Sequence, residues 1–325
     1  MLRKRRRWAS VITLVARRVR QEAEGVRSFH FQRSDGGAVD TWAPGAHLEF
    51  TLPSGLIRQY SLCGDPEDRS GYVVAVLDQP EGRGGSREFH RILTPGVELT
   101  VRYPRNHFQL VEAQSYLFLA GGIGITPILP MVRAVAKAGK AFRVLYGGRT
   151  LASMAFREEI STYGTAAALV PEDTAGRIDI AGELSRCPAG TQVYCCGPEP
   201  LLHAVEAACA VDGRIGGLHF ERFGAATATA DRPASTGGTF EVELARTGVT
   251  LVVDERSSIL DKVLEVVPDR PWACREGFCG SCETKVIAGE PEHADDVLSV
   301  GEREAGDVMM ICVGRARSPR LVLDI

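Results

Sequence analysis

Over the first 110 residues apolar and polar positions alternate with a period of two in short stretches, 28–32, 47–52, 72–77 and 98–102. Turns such as Asp35-Gly36-Gly37 and Pro44-Gly45 part them. Regularly spaced short strands of this kind predict an antiparallel barrel. From Tyr116 the pattern changes to a continuous apolar run, 116–120, then Gly121-Gly122-Ile123-Gly124, then a helical stretch closing near Gly139. Thr126 suits the N-cap of that helix and Pro127 its first position. Strands follow at 142–147 and 192–196, the second leading into another helix. Buried strands alternating with helices predict a parallel sheet wound by right-handed crossovers. Residues 224–238 are rich in Ala, Thr, Ser, Gly and Pro without periodicity, which reads as a linker. Beyond it, 239–245 and 249–253 read as a hairpin, with Ser257 or Ser258 capping a helix that runs toward Val266.

The expected organisation is therefore multidomain: a β-barrel over 8–110, a parallel-sheet α/β domain over 111–224, a linker over 225–238 and a compact domain over 239–325. Composition fits this picture. The chain has 325 residues, 44% of them hydrophobic and 24% charged, with a net charge of −3. That is a globular balance with no nucleic-acid footprint. No apolar run reaches the roughly 20 residues a membrane-spanning helix needs. The basic start, 1–8, reads as a solvated arm or a surface for acidic partners. Residues 238–325 carry 10 Lys/Arg against 17 Asp/Glu, whereas the preceding residues are net positive. Such asymmetry serves either solubility or docking onto a basic surface.

Nine cysteines do not suggest a disulfide framework. Four stand late in the chain, as Cys274-x4-Cys279-x2-Cys282 and, after 29 intervening residues, Cys312 on an expected strand over 308–313. This is the ligand spacing of a plant-type [2Fe-2S] cluster, in keeping with a reducing cytoplasm. Gly277, Gly280 and Ser281 let backbone amides approach the sulfurs. A zinc site with four cysteines uses the same donors, but it usually pairs them as two short knuckles. Here three come from one loop. The other five cysteines, Cys63, Cys187, Cys195, Cys196 and Cys209, read mostly as small buried hydrophobes.

Two further constellations carry chemistry. Arg58-Gln59-Tyr60-Ser61, on a barrel strand, offers a guanidinium for phosphate, an aromatic to lie against a flavin ring and a hydroxyl for the ring edge. Gly82-Arg83-Gly84-Gly85-Ser86 precedes a short helical stretch, 87–93, that Ser86 can cap, so its amides form an anion nest. Gly121, Gly122, Gly124 and Thr126 stand where a strand feeds a helix, the place dinucleotide phosphates occupy. Cys196-Gly197-Pro198 ends another strand at the carboxyl edge of the sheet. Cys196 reads either as facing a nicotinamide or as a structural thiol. No acid follows the second strand; Gly148-Arg149-Thr150 stands there, so NADH and NADPH both stay open.

These motifs, in this order and across nearly the whole chain, resemble the phthalate dioxygenase reductase family within the ferredoxin-NADP reductase superfamily. The resemblance implies a flavin-binding barrel, an NAD(P)-binding domain and a C-terminal β-grasp ferredoxin domain. It implies FMN rather than FAD, with Arg58, Gly84, Gly85 and Ser86 about the phosphate, Tyr60 and Ser61 at the isoalloxazine, and Phe223 bordering the flavin. It further implies hydride transfer from NADH or NADPH to the flavin and single-electron export through [2Fe-2S] to a terminal oxygenase, of Rieske type or a cytochrome P450. A redox sensor without turnover is the reading from another class.

Overall fold

The computed structural model describes residues 11–223, 238–295, 297, 298 and 300–325. The basic arm and nearly all of the expected linker lie outside them. The chain forms two compact units, one running through Glu221 and the other from Arg222 to Ile325.

The first unit opens with six strands, β1 (Val11–Ala23), β2 (Val26–Arg33), β3 (His47–Thr51), β4 (Ile57–Ser61), β5 (Tyr72–Leu77) and β6 (Glu98–Arg105), in the order β4-β3-β6-β1-β2-β5. All neighbours are antiparallel. A single bridge from Leu62, just past β4, to Val74 on β5 ties the two ends of the sheet together in the manner of a barrel. Its interior is aromatic. Phe29, Phe31, Phe50 and Phe89 are fully buried, Phe89 arriving on α1 (Gly85–Ile92). β1 was not foreseen. Arg17, Arg18 and Arg20 break its apolar alternation, and its register with β2 shifts between Ala16 and Arg18. A bulge of that kind re-aims every following side chain, so no period of two survives in the sequence.

The second half of this unit is wholly parallel: β7 (Ser115–Gly121), β8 (Ala141–Gly148), β9 (Ala167–Pro171), β10 (Gln192–Cys196) and β11 (Gly217–Glu221), ordered β11-β10-β7-β8-β9. Strands buried on both faces read as unbroken apolar runs, and β7 is buried at every position. α2 (Ile125–Lys137) packs on one face with Phe118, Tyr146 and Tyr194. Short helices α3 (Arg157–Ser161), α4 (Glu172–Ala175) and α5 (Ile180–Arg186) lead to α6 (Glu199–Val211), whose Leu202 and Val205 cover the other face.

Two N-cap expectations are corrected. The glycine turn winds as a 3-10 turn over Gly122–Gly124 and runs straight into α2, so Gly124 is the cap. Thr126 instead sits inside the first turn, buried, its hydroxyl donating to the Ile123 carbonyl at 2.9 Å. Pro127 is the third helical residue. Likewise α1 starts at Gly85 behind a left-handed Gly84, φ 78°. Ser86 therefore lies in the first turn and accepts from the Gln79 amide at 3.1 Å.

The second unit holds a five-stranded mixed sheet, β12 (Phe240–Leu244), β13 (Val249–Val253), β14 (Glu283–Ala288), β16 (Val308–Met310) and β18 (Arg320–Leu323), in the order β13-β12-β18-β14-β16. A small pair, β15 (Pro291–Glu292) and β17 (Arg315–Ala316), stands beside it, and α8 (Val300–Ala305) precedes β16. The expected hairpin forms. α7 (Ile259–Val266) packs Ile259, Leu260 and Val263 into the core, and Ser258 with Asp261 forms a capping box at its start. This satisfies two of the amides a helix N-terminus otherwise leaves without partners.

Candidate functional site

β4 presents the first constellation. Tyr60 points into the aromatic interior, its ring 4.7 Å from Phe89 and 5.9 Å from Phe50. Its hydroxyl, however, is buried with no hydrogen-bond partner among the described residues. Leaving a buried polar group unsatisfied costs roughly 1–3 kcal/mol, so a hydrogen-bonding group bound beside it would relieve that cost. Arg58 donates to the carbonyl of Arg83 at 2.8 Å and so joins β4 to the glycine loop. A Cβ on Gly85 would stand 2.1 Å from Arg58 Nε, so a larger residue there would force the Arg58 side chain out of this position. The first turn of α1 has no side-chain cap. A helix start without a side-chain cap beside a guanidinium is an arrangement that can receive an anion.

The nucleotide motifs are brought together backbone against backbone. A Cβ on Gly121 would lie 2.6 Å from the Pro198 ring, and one on Gly197 would lie 2.9 Å from Gly121 Cα. At Gly124 it would stand 2.1 Å from the Cys196 carbonyl oxygen. Gly121, Gly124 and Gly197 thus serve the packing of turn on turn. Gly122 differs: its φ is +54° and nothing stands within 4 Å of the missing Cβ, so this turn faces open space at the carboxyl edge of the sheet. Arg149 is exposed beyond β8, and its carbonyl accepts from the Asp173 amide at 3.2 Å. Glu172 and Asp173, which open α4 just past β9, stand beside the loop that follows β8.

The two halves meet at a residue the sequence reading passed over. Glu221 ends β11 opposite Cys196 in the parallel register, and Ser61 Oγ donates to its Oε2 at 3.2 Å. Ser61, Cys196 and Glu221 therefore converge where the flavin strand faces the end of the nucleotide sheet. The available signal was an acid closing an otherwise apolar strand at a carboxyl edge, inside the segment noticed only for Phe223. Phe223 is exposed and stands in the second unit. Cys196 is fully buried, and burial, with Glu221 beside it, pushes its thiol well up. It is a neutral thiol rather than a nucleophile.

Burial pushes the Glu221 carboxyl up to about 8, opposed by the Ser61 hydrogen bond. The folded chain then holds a proton that the unfolded chain releases near 4.5, so stability falls as pH rises from there toward 8. Glu221→Gln is expected to flatten that decline. Urea midpoints taken across about pH 5 to 9 check this, and equal slopes in both proteins would refute it.

In the second unit Cys274, Cys279 and Cys282 lie on one loop and Cys312 in the turn that follows β16, not within the strand as expected. The strand ends early because Ile311 to Val313 form a turn, with Gly314 N bonded back to Met310 O at 2.8 Å. All four cysteines are buried. Their side chains gather in one place, those of Cys279 and Cys312 against Cys274, and that of Cys282 against Cys312. The amide of Glu276 donates to Cys274 Sγ at 3.3 Å and that of Cys274 to Cys279 Sγ at 3.4 Å. Positive φ at Arg275, Gly277 and Gly280 curls the loop so that these amides face inward. The strained Arg275 is held by an ion pair with Asp261 at 2.6 Å and by stacking on Trp272. Four gathered thiols receiving amide hydrogen bonds suit a thiolate-bound iron–sulfur cluster.

Known families agree with this geometry. The 2Fe-2S iron-sulfur cluster binding domain family matches residues 242–317, and the oxidoreductase NAD-binding domain family matches residues 118–207. Fold and site together define an iron–sulfur oxidoreductase that uses NAD(P)H. A relative, phenoxybenzoate dioxygenase subunit beta of Ectopseudomonas oleovorans, is 40% identical over 89% of this chain and 90% of its own. The solved structure of phthalate dioxygenase reductase is 34% identical over 97% of this chain and 98% of its own, with a TM-score of 0.69. The chain belongs to the phthalate dioxygenase reductase family. An intact type IV self-sufficient cytochrome P450 monooxygenase gives a TM-score of 0.87 at 38% identity, and there the chain spans 41% of the larger protein. No helix among the described residues is long and apolar enough to cross a membrane.

Proposed function

We propose that the protein is the reductase component of an oxygenase system, drawing electrons from NADH or NADPH through FMN and [2Fe-2S] to a terminal oxygenase of Rieske type. The observation that carries this is the convergence of Ser61, Cys196 and Glu221 between the flavin strand and the nucleotide sheet, in a chain that also gathers four cysteines. Bound flavin would supply the conversion of a two-electron hydride into single electrons that a cluster accepts.

The residues of the chain bind, orient and exclude. Arg58, with the amides of Gly84, Gly85 and Ser86, would hold the flavin phosphate. Tyr60 would offer its partnerless hydroxyl to the flavin, and Ser61 would present its hydroxyl to the ring edge. Gly121 to Gly124, Thr126, Cys196, Gly197 and Pro198 would hold the nucleotide. The Glu221 carboxyl, protonated near neutrality, adds no negative charge where a hydride-bearing ring must approach. Cys274, Cys279, Cys282 and Cys312 would ligate the cluster.

Flavin released from the purified protein tests the cofactor. FMN in near-stoichiometric amount is expected, with Arg58→Ala lowering retention by about tenfold through loss of charge-assisted bonds worth about 1.5 kcal/mol. FAD, or equal retention by the variant, would contradict it. A second reading, electron delivery to a cytochrome P450, rests on the likeness to the self-sufficient P450. Turnover with each class of acceptor separates the two.

A further inference from the structure

α2 starts at the glycine turn and carries Arg133 and Lys137 one turn apart, hence on one flank. That flank grips the barrel. Arg133 Nη1 donates to the carbonyl oxygens of Cys63 at 2.7 Å and Gly64 at 2.8 Å, two and three residues past Ser61. The other edge of the same guanidinium is held by Glu159 on α3, Nε to Oε1 at 2.6 Å and Nη2 to Oε2 at 2.7 Å. Lys137 pairs with Glu67 on the same barrel loop, but both are about 70% exposed, so this pair adds little. Beneath the clamp Ile123, from the glycine turn, packs with Cys63, Ala75 and Phe156 in a small apolar cluster shared by the two halves.

This arrangement is more specific than an adhesive contact. A bidentate Arg–carboxylate pair fixes the plane of the guanidinium, and a fixed plane aims the remaining amino group at two adjacent carbonyls. Cys63 is itself pinned to the barrel, its amide donating to Val73 O at 2.9 Å. The chain of rigid parts therefore runs from the nucleotide turn, along α2, through Arg133, to the strand that presents Tyr60 and Ser61. A displacement of about 1 Å between reacting groups can cost on the order of a hundredfold in rate.

We propose that Arg133, oriented by Glu159, is a positioning residue that sets the spacing between the nucleotide-binding turn and the flavin strand, and so governs the rate of hydride delivery rather than nucleotide affinity. This rests on the proposed passage of hydride from NAD(P)H to flavin. The test uses the full chain, loaded with flavin and cluster, as wild type and as Arg133→Met, Arg133→Lys and Glu159→Gln. Rapid anaerobic mixing with NADH or NADPH reads the limiting rate of flavin bleaching and the nucleotide Kd. Arg133→Met is expected to lower the limiting rate by about tenfold or more while Kd moves less than about twofold, and Glu159→Gln to lower it by less. Arg133→Lys, which can still reach the two carbonyls, recovers part of the loss.

A second readout needs no bound cofactor. Amide hydrogen exchange over residues 62–67 and 122–128 of the flavin-free chain is expected to speed up in Arg133→Met, at an unchanged melting temperature for the second unit. Unchanged bleaching rates, a rise in Kd that accounts for the whole effect, or exchange indistinguishable from wild type would overturn the proposal. A wild-type protein whose flavin neither nucleotide bleaches would instead sink the hydride reading itself, and the rate claim with it.

Discussion

Cys282→Ala is expected to erase the iron–sulfur absorption and to lower electron delivery to a one-electron acceptor by more than about a hundredfold, while nucleotide still bleaches the flavin. The magnitude follows from comparison: changes outside the ligand shell of metal sites already cost about 10- to 100-fold, so loss of a ligand should exceed that. The selectivity follows from the division of the chain. Cys282 lies in the core of the second unit beside Ile311 and Met309, and the flavin and nucleotide constellations lie in the first unit. Cys282→Ser, which keeps the volume, separates the loss of a ligand from the loss of packing. The measurement is cytochrome c reduction alongside the flavin band under anaerobic nucleotide. Undiminished delivery by both variants would remove the cluster from the electron path.

The second large effect is expected at Gly124. An alanine Cβ would stand 2.1 Å from the Cys196 carbonyl oxygen and 2.5 Å from its carbonyl carbon, so backbone rather than a flexible side chain must yield. Overpacking of this kind costs about 1–3 kcal/mol, and here the strain separates the start of α2 from the end of β10, the two edges of the nucleotide site. Gly124→Ala is expected to lower nucleotide-driven flavin reduction by at least about tenfold, whereas a chemical reductant still bleaches both chromophores. Gly122→Ala gives a contrast, since it meets no neighbouring atom and suffers only from its positive φ. Melting curves and single-turnover reduction check the pair. Equal behaviour of the two variants would mean that turn-on-turn packing does not shape the site.

The sequence reveals most of what local chemistry dictates. Cysteine spacing needs no tertiary information, because three ligands share one loop and the fourth is an isolated residue. Strand texture likewise separates barrel from parallel sheet, since burial on one face leaves alternation and burial on both erases it. The failures share a different cause. β1 is hidden because a bulge resets its alternation beside three arginines. The caps of α1 and α2 fall earlier than expected because glycine turns wind directly into the helices, and Thr126 then finds a carbonyl within its own turn. Cys312 sits past its strand because a turn begins at Ile311.

Glu221 and Arg133 were illegible for a further reason. Each acts by meeting residues far away in sequence, Ser61 in one case and Cys63, Gly64 and Glu159 in the other. A charged residue on an amphipathic helix reads as solvated until the tertiary fold shows what it holds. The glycines illustrate the converse. Gly121 and Gly124 suggest phosphate contacts in sequence and Gly197 a ligand-binding strand end, yet their missing side chains first of all let two turns touch.

The central claim, that nucleotide, flavin and cluster form one path in this chain, is tested most directly by the visible spectrum of the purified protein before and after anaerobic NADH and then NADPH. Flavin bands in the blue over broad, red-shifted iron–sulfur absorption, both bleached by at least one nucleotide, are the predicted result. A colourless protein with stoichiometric zinc, or a coloured one that neither nucleotide bleaches, would contradict it.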